Sequence, residues 1–89
     1  MSSLKEWEEL LQKYEELKLL CENYDNSAEQ FSQILSAYLD IDILHRIQIA
    51  YILEVSEVIV SIWANGHAIP LSRMKKEIVD YISQKAKGV

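Results

Sequence analysis

Residues 43–64 read ILHRIQIAYILEVSEVIVSIWA, twenty-two positions without a glycine, proline or asparagine. Isoleucine and valine are so frequent here that propensity alone would also suit strands. Length decides for helix, because strands seldom exceed about ten residues. Projected at about 100° per residue, Arg46, Glu54, Glu57 and Ser61 gather within a sector of roughly 80°, and most of the remaining circumference is apolar. A helix apolar over so wide an arc must be covered on several sides. The stretch therefore predicts one continuous helix at the centre of an all-helical fold. Asn65-Gly66 closes it, and His67-Ala68-Ile69-Pro70 forms a short connection.

Upstream, Ser3-Leu4-Lys5-Glu6 has the capping-box spacing that starts a helix. Leu4, Trp7, Leu10, Leu11, Tyr14, Leu17, Cys21 and Tyr24 come next at steps of three and four on one face. Leu19 and Leu20 lie off that stripe, so the end of this helix is expected to touch something on a second side. Asn23 to Ser27 is a cluster of turn formers, with Asn26 or Ser27 placed to cap a second helix. Ala28, Phe31, Ile34, Leu35, Tyr38 and Leu39 form its apolar stripe, which Asp40-Ile41-Asp42 interrupts, and either aspartate can cap a third helix. Downstream, Ser72 is placed to cap a last helix with Leu71, Met74, Ile78, Tyr81 and Ile82 on its buried face. The architecture these elements predict is a compact bundle of three long helices and a shorter one, the third being central, in a single domain spanning residues 1–89.

At 89 residues the chain has room for one core. Its net charge of −5 is uneven: residues 1–42 carry ten acids against three lysines, and residues 72–89 carry five bases against two acids. The acidic total argues against general charge-driven binding to nucleic acid and leaves room for a local basic surface at the C-terminal end. One cysteine, Cys21, excludes an internal disulfide and a cysteine-based zinc site within one chain. The N-terminal residues lack the pattern of a secretory signal, and the longest unbroken apolar run, Ile49 to Leu53, is too short to span a bilayer. The expectation is a cytoplasmic protein that does not enter a membrane.

Chemistry has little to stand on. The glutamates of the first helix lack the apolar surroundings and facing partner that a general acid–base pair requires. His45 and His67 have no metal-ligand spacing, so no metal is expected. Asp25-Asn26-Ser27 has the polar start of a calcium loop without its glycine at the sixth position or its glutamate at the twelfth, where Ser36 stands. Cys21 sits on an apolar stripe as a small core residue, and no glycine-rich phosphate loop is present. Neither an enzyme activity, nor a cofactor, nor a small-molecule substrate is expected.

Two binding roles remain. The wide apolar arc of residues 43–64, with Leu19 and Leu20, gives more apolar surface than a small bundle readily covers. It points to a protein-interaction module, an accessory subunit docking on a larger enzyme or self-associating as an oligomer through Leu19, Leu20, Val55, Ile59, Ile62 and Trp63. The alternative is nucleic acid. Ile69-Pro70-Leu71-Ser72-Arg73-Met74-Lys75-Lys76-Glu77-Ile78-Val79, which comes after a closed helix, resembles the recognition helix of a helix-turn-helix protein. That resemblance covers some thirty residues and implies base and phosphate contacts from Ser72, Arg73, Lys75 and Lys76, as in a regulator or a part of a replication or transcription complex. The connection is longer than in the compact motif, and Glu77 and Asp80 dilute the positive charge.

Overall fold

A computed structural model describes residues 3–88, and the side chain of Ser3, with its capping box, lies outside the described residues. Five α-helices succeed one another among them: α1 (Ser3–Glu22), α2 (Ala28–Ile41), α3 (Leu44–Leu53), α4 (Glu57–Ala64) and α5 (Ser72–Lys87). The all-helical class stands. The expected third helix is instead two, and the axes of α3 and α4 are bent by 110° at residues 54–56.

The break has a local cause. Glu54 adopts a left-handed backbone (φ 57°, ψ 42°), and the amides of Glu54 and Val55 donate to the carbonyls of Tyr51 and Ala50. This pair of bonds is a Schellman closure with glutamate where glycine is usual. Ser56 then caps α4, its hydroxyl accepting from the amide of Ile59 at 3.2 Å. Val55 and Val60 flank this cap with the spacing of a hydrophobic staple; Val60 is fully buried and Val55 packs against the same core. A stop and a start signal back to back override the unbroken apolar run.

The other junctions agree with the sequence more closely. Ser27 caps α2 by accepting from Gln30, while Asp25 accepts from the Ser27 amide in an Asx turn. Asp42 is the aspartate that starts α3, its carboxylate accepting from the Leu44 amide at 2.9 Å. Gly66 closes α4 with φ 77°, its amide donating to Trp63 and that of His67 to Ile62, a second Schellman closure. Ser72 does not cap α5. It is the first helical residue, and Leu71, extended at φ −59° and ψ 153°, holds the cap position with its backbone carbonyl alone.

The central helix is α2, not the one expected. It packs against each of the other four, whereas α3 sits at the edge on α2 and α4. The reason lies in the residues: Phe31, Ile34, Leu35 and Tyr38 make α2 a densely apolar stripe, all fully or almost fully buried. Leu17 from α1, Val60 and Trp63 from α4, and Ile78, Val79, Ile82 and Ala86 from α5 close around it. Leu71, expected in this core, is 83% exposed because it precedes the helix instead of lying on its inner face. The first turns of α1 project from the bundle, leaving Leu4 and Trp7 exposed.

Candidate protein-docking face

Once the helix breaks at Glu54, the angular position of each side chain on α3 is set by α3 alone. Ile49 and Ala50 face inward and are buried. Ile43, Leu44, Ile47 and Tyr51 occupy an arc of about 100° on the other side, continued by Gln48 and Ile52. All six are exposed, Ile43 by 78% and Tyr51 by 84%. The outer face of α3 thus carries large apolar groups, one amide and no charge. Arg46, expected on the solvent side, points the other way. It lines a small polar hollow with Ser36, Asp40, Ser61 and Asn65, and its Nε is buried without a hydrogen-bond partner among the described residues.

Two hollows flank this face and share Ile52. One lies in the elbow between α3 and α4, about 710 Å³ in volume, lined by residues that include Ile47, Tyr51, Ile52, Val55 and Glu57. The other, about 230 Å³, lies between α3 and α5 and is lined by Ile49, Ile52, Leu53, Glu77, Ile78 and Tyr81. The exposed apolar sequence continues into the first turn of α4 at Val58 and Ile59. The elbow is held in shape by α2. His45 stacks on Tyr38 with ring centroids 3.9 Å apart, and its Nδ1–H donates to the Tyr38 carbonyl at 2.9 Å. At the far arm, the Ser32 hydroxyl donates to the Trp63 carbonyl at 2.9 Å.

The six interface residues proposed from sequence do not form one surface. Trp63 is a core residue, 8% exposed. Leu19 and Leu20 line a separate hollow between α1 and α2. Val55 lies in the α3–α4 elbow, Ile59 is exposed on α4, and Ile62 is half-buried. Leu44, Ile47, Tyr51 and Ile52 escape the sequence reading because a continuous helix puts them on a covered arc, and Ile43 because it stands at the very start of that helix. The signal available was Ser56 before Glu57, a helix start inside the run.

The four nucleic-acid candidates are likewise divided. Lys75 Nζ donates to the Asn26 carbonyl at 2.9 Å and ties α5 to the turn between α1 and α2. Arg73 pairs with Glu77 at 3.5 Å but stays exposed, so Ser72, Arg73 and Lys76 are the exposed groups of that set. Nor do α4 and α5 form the close helix pair of a helix-turn-helix; α5 packs on α1 and α2. The connection of three residues at about a right angle is that between α3 and α4, and α4, EVIVSIWA, carries no basic residue.

Among the described residues no three His, Cys, Asp or Glu side chains gather to hold a metal. The thiol of Cys21 is half-buried, and burial pushes its pKa up, opposed by the charge of Lys87, so it stays protonated at neutral pH. Burial also raises the pKa of Tyr14, Tyr24 and Tyr38, with the neighbouring Tyr81 adding to the effect on Tyr38. None of these groups is primed as a nucleophile or base. No helix among the described residues is long and apolar enough to cross a membrane; α3 and α4 have the combined length and composition, but the 110° bend separates them. Compared with known protein families, curated proteins and solved structures, the chain matches none.

Proposed function

We propose that this chain is a non-catalytic protein-interaction module, an accessory subunit that acts by docking on a larger protein through the α3–α4 elbow. One observation carries the reading: Ile43, Leu44, Ile47, Gln48, Tyr51 and Ile52 are all exposed on one side of α3, without a charge among them. Val58 and Ile59 extend the exposed apolar set beyond the elbow, and a run of large exposed apolar side chains of this kind marks an interaction surface more often than a solvated one. Nucleic acid receives less support as a partner, since Lys75 is engaged within the chain, Glu77 and Asp80 dilute the charge, and α5 is not presented by a helix-turn-helix pair.

The test is site-specific photocrosslinking in the native cell. A crosslinker at Tyr51 is expected to trap one defined protein, and one at Lys13, on the acidic side of α1, to trap none. Tyr51→Asp with Ile52→Asp should abolish the complex while helical circular dichroism is retained. Equal trapping at both positions, or a complex indifferent to the double substitution, would refute the assignment of this face.

A further inference from the structure

The docking face is apolar at its centre, but its border has a sign. Asp42 stands at the N-terminal end of α3, Glu54 and Glu57 at the elbow, and Glu77 on the α5 side of the smaller hollow. All four are exposed. Arg46 is turned to the opposite side of α3 and does not offset the acids at the two ends of the stripe, whereas Glu77 has Arg73 and Lys76 close by, both exposed, and Lys85 Nζ lies 5.3 Å from the ring centre of Tyr81 in the same hollow. Acids therefore border both ends of the apolar stripe, and its α5 flank is mixed in sign.

This border discriminates between occupants. If a second copy paired along α3 in antiparallel fashion, Asp42 of each chain would lie toward Glu54 and Glu57 of the other; in parallel, each acid would face its own equivalent. Either arrangement brings like charges within a Debye length, about 8–10 Å, as water is expelled from the centre. The projecting start of α1, with Leu4 and Trp7, is no better suited, since Glu6, Glu8 and Glu9 surround those residues. The shape adds a second constraint. From Ile43 to Ile52 the stripe runs about 14 Å along the axis, roughly two and a half helical turns, with a hollow on either side of Ile52 to receive a side chain.

We propose that the occupant is an amphipathic helix of another protein, with large apolar residues at i, i+3 or i+4, and i+7 and with lysine or arginine flanking them. The apolar residues enter the elbow and the α3–α5 hollow, and the basic flanks meet Asp42, Glu54 and Glu57. This partner assignment rests on the proposed docking role of the elbow. It takes two synthetic helical peptides to test it, with one apolar stripe in common and either lysine or glutamate flanks, titrated into the isotope-labelled full chain by NMR, with sedimentation of the chain alone. The lysine-flanked peptide should shift the signals of Ile47, Tyr51, Ile52 and Val55 and bind at least about tenfold more tightly at low salt. Added salt should narrow the gap, Glu54→Lys with Glu57→Lys should reverse the preference, and the chain alone should sediment as a monomer. Equal binding of both peptides, or a dimer that Tyr51→Asp dissolves, would overturn the basic-helix assignment and leave the docking face standing. No binding of either peptide by a monomeric chain would overturn both.

Discussion

Replacing Glu54 by glycine should make this protein more stable, and the sign of that change separates two structures for residues 43–64. Glu54 is left-handed at φ 57°, a conformation that costs a residue with a Cβ about 1–2 kcal/mol and glycine almost nothing. Glycine also gives the unfolded chain more freedom, which takes back about 0.4–1 kcal/mol. The net expectation for Glu54→Gly is a gain of roughly 0.5–1 kcal/mol, or a few degrees in Tm for a domain of this length. In an unbroken helix the same change would replace a good helix former by a poor one at an interior position and cost about 0.5–1 kcal/mol. Ser56→Ala provides the counterpart. Here it removes the hydroxyl that accepts from Ile59 and should cost about 1 kcal/mol, whereas in an unbroken helix alanine would be the better residue. Urea unfolding monitored by circular dichroism reads both, with an unchanged m-value showing that the denatured state is not the cause. Destabilisation by Glu54→Gly together with stabilisation by Ser56→Ala would refute the elbow and, with it, the exposed face of α3.

The core and its tyrosines give two further outcomes. Ile34→Ala, in a fully buried position on α2, should cost about 2–5 kcal/mol, while Tyr51→Ser on the outer face should stay within about 0.5 kcal/mol; a comparable loss at both positions in chemical denaturation would contradict the burial pattern. Because Tyr14, Tyr24 and Tyr38 have folded pKa values raised above the ordinary 10.0, the folded chain holds phenolic protons that the unfolded chain releases. Their contribution is therefore complete below pH 10 and declines as pH rises from 10 toward the folded values. Tyrosinate absorbance and loss of helical dichroism should advance together for part of the alkaline transition, and full ionisation of all tyrosines in a still-folded chain would contradict it.

The parts of the fold legible in the sequence are those where side-chain pattern and local signals agree. Phe31, Ile34, Leu35 and Tyr38 recur at helical spacing after a Ser27 cap, and α2 forms where they predict it. Asn65-Gly66 likewise closes α4 in the expected place. Residues 43–64 failed because their pattern and their signals conflict: the apolar run is continuous, yet Glu54 takes the position that glycine normally marks, so the usual stop sign is missing. Ser56 was the visible clue, a weak one, since serine also occurs within helices. That single junction had wide consequences. Placing the break there shifts the centre of the fold from the third helix to α2, and moves the candidate interface from Trp63 and Ile62 to Ile43, Ile47, Tyr51 and Ile52.

Hydrophobic burial alone would favour a different orientation of α3, with Arg46 turned to water and Ile43, Ile47 and Tyr51 turned to α2. Local contacts hold it as it is. Asp42 fixes the first turn through the Leu44 amide, and His45, stacked on Tyr38 and bonded to its carbonyl, sets the rotation about the helix axis. Glu54 and the Val55 amide fix the last turn. Rotating α3 would break the His45 contacts and displace Ile49 and Ala50 from the core. The present orientation instead leaves Arg46 Nε buried without a partner among the described residues, an arrangement that costs on the order of 1–3 kcal/mol. Polar contacts at both ends and a stacked histidine thus hold an apolar face toward the outside, against the direction in which burial would turn it. A partner covering that face would recover the burial this orientation forgoes, which is the ground on which the elbow, and not the basic end of α5, is proposed as the docking site.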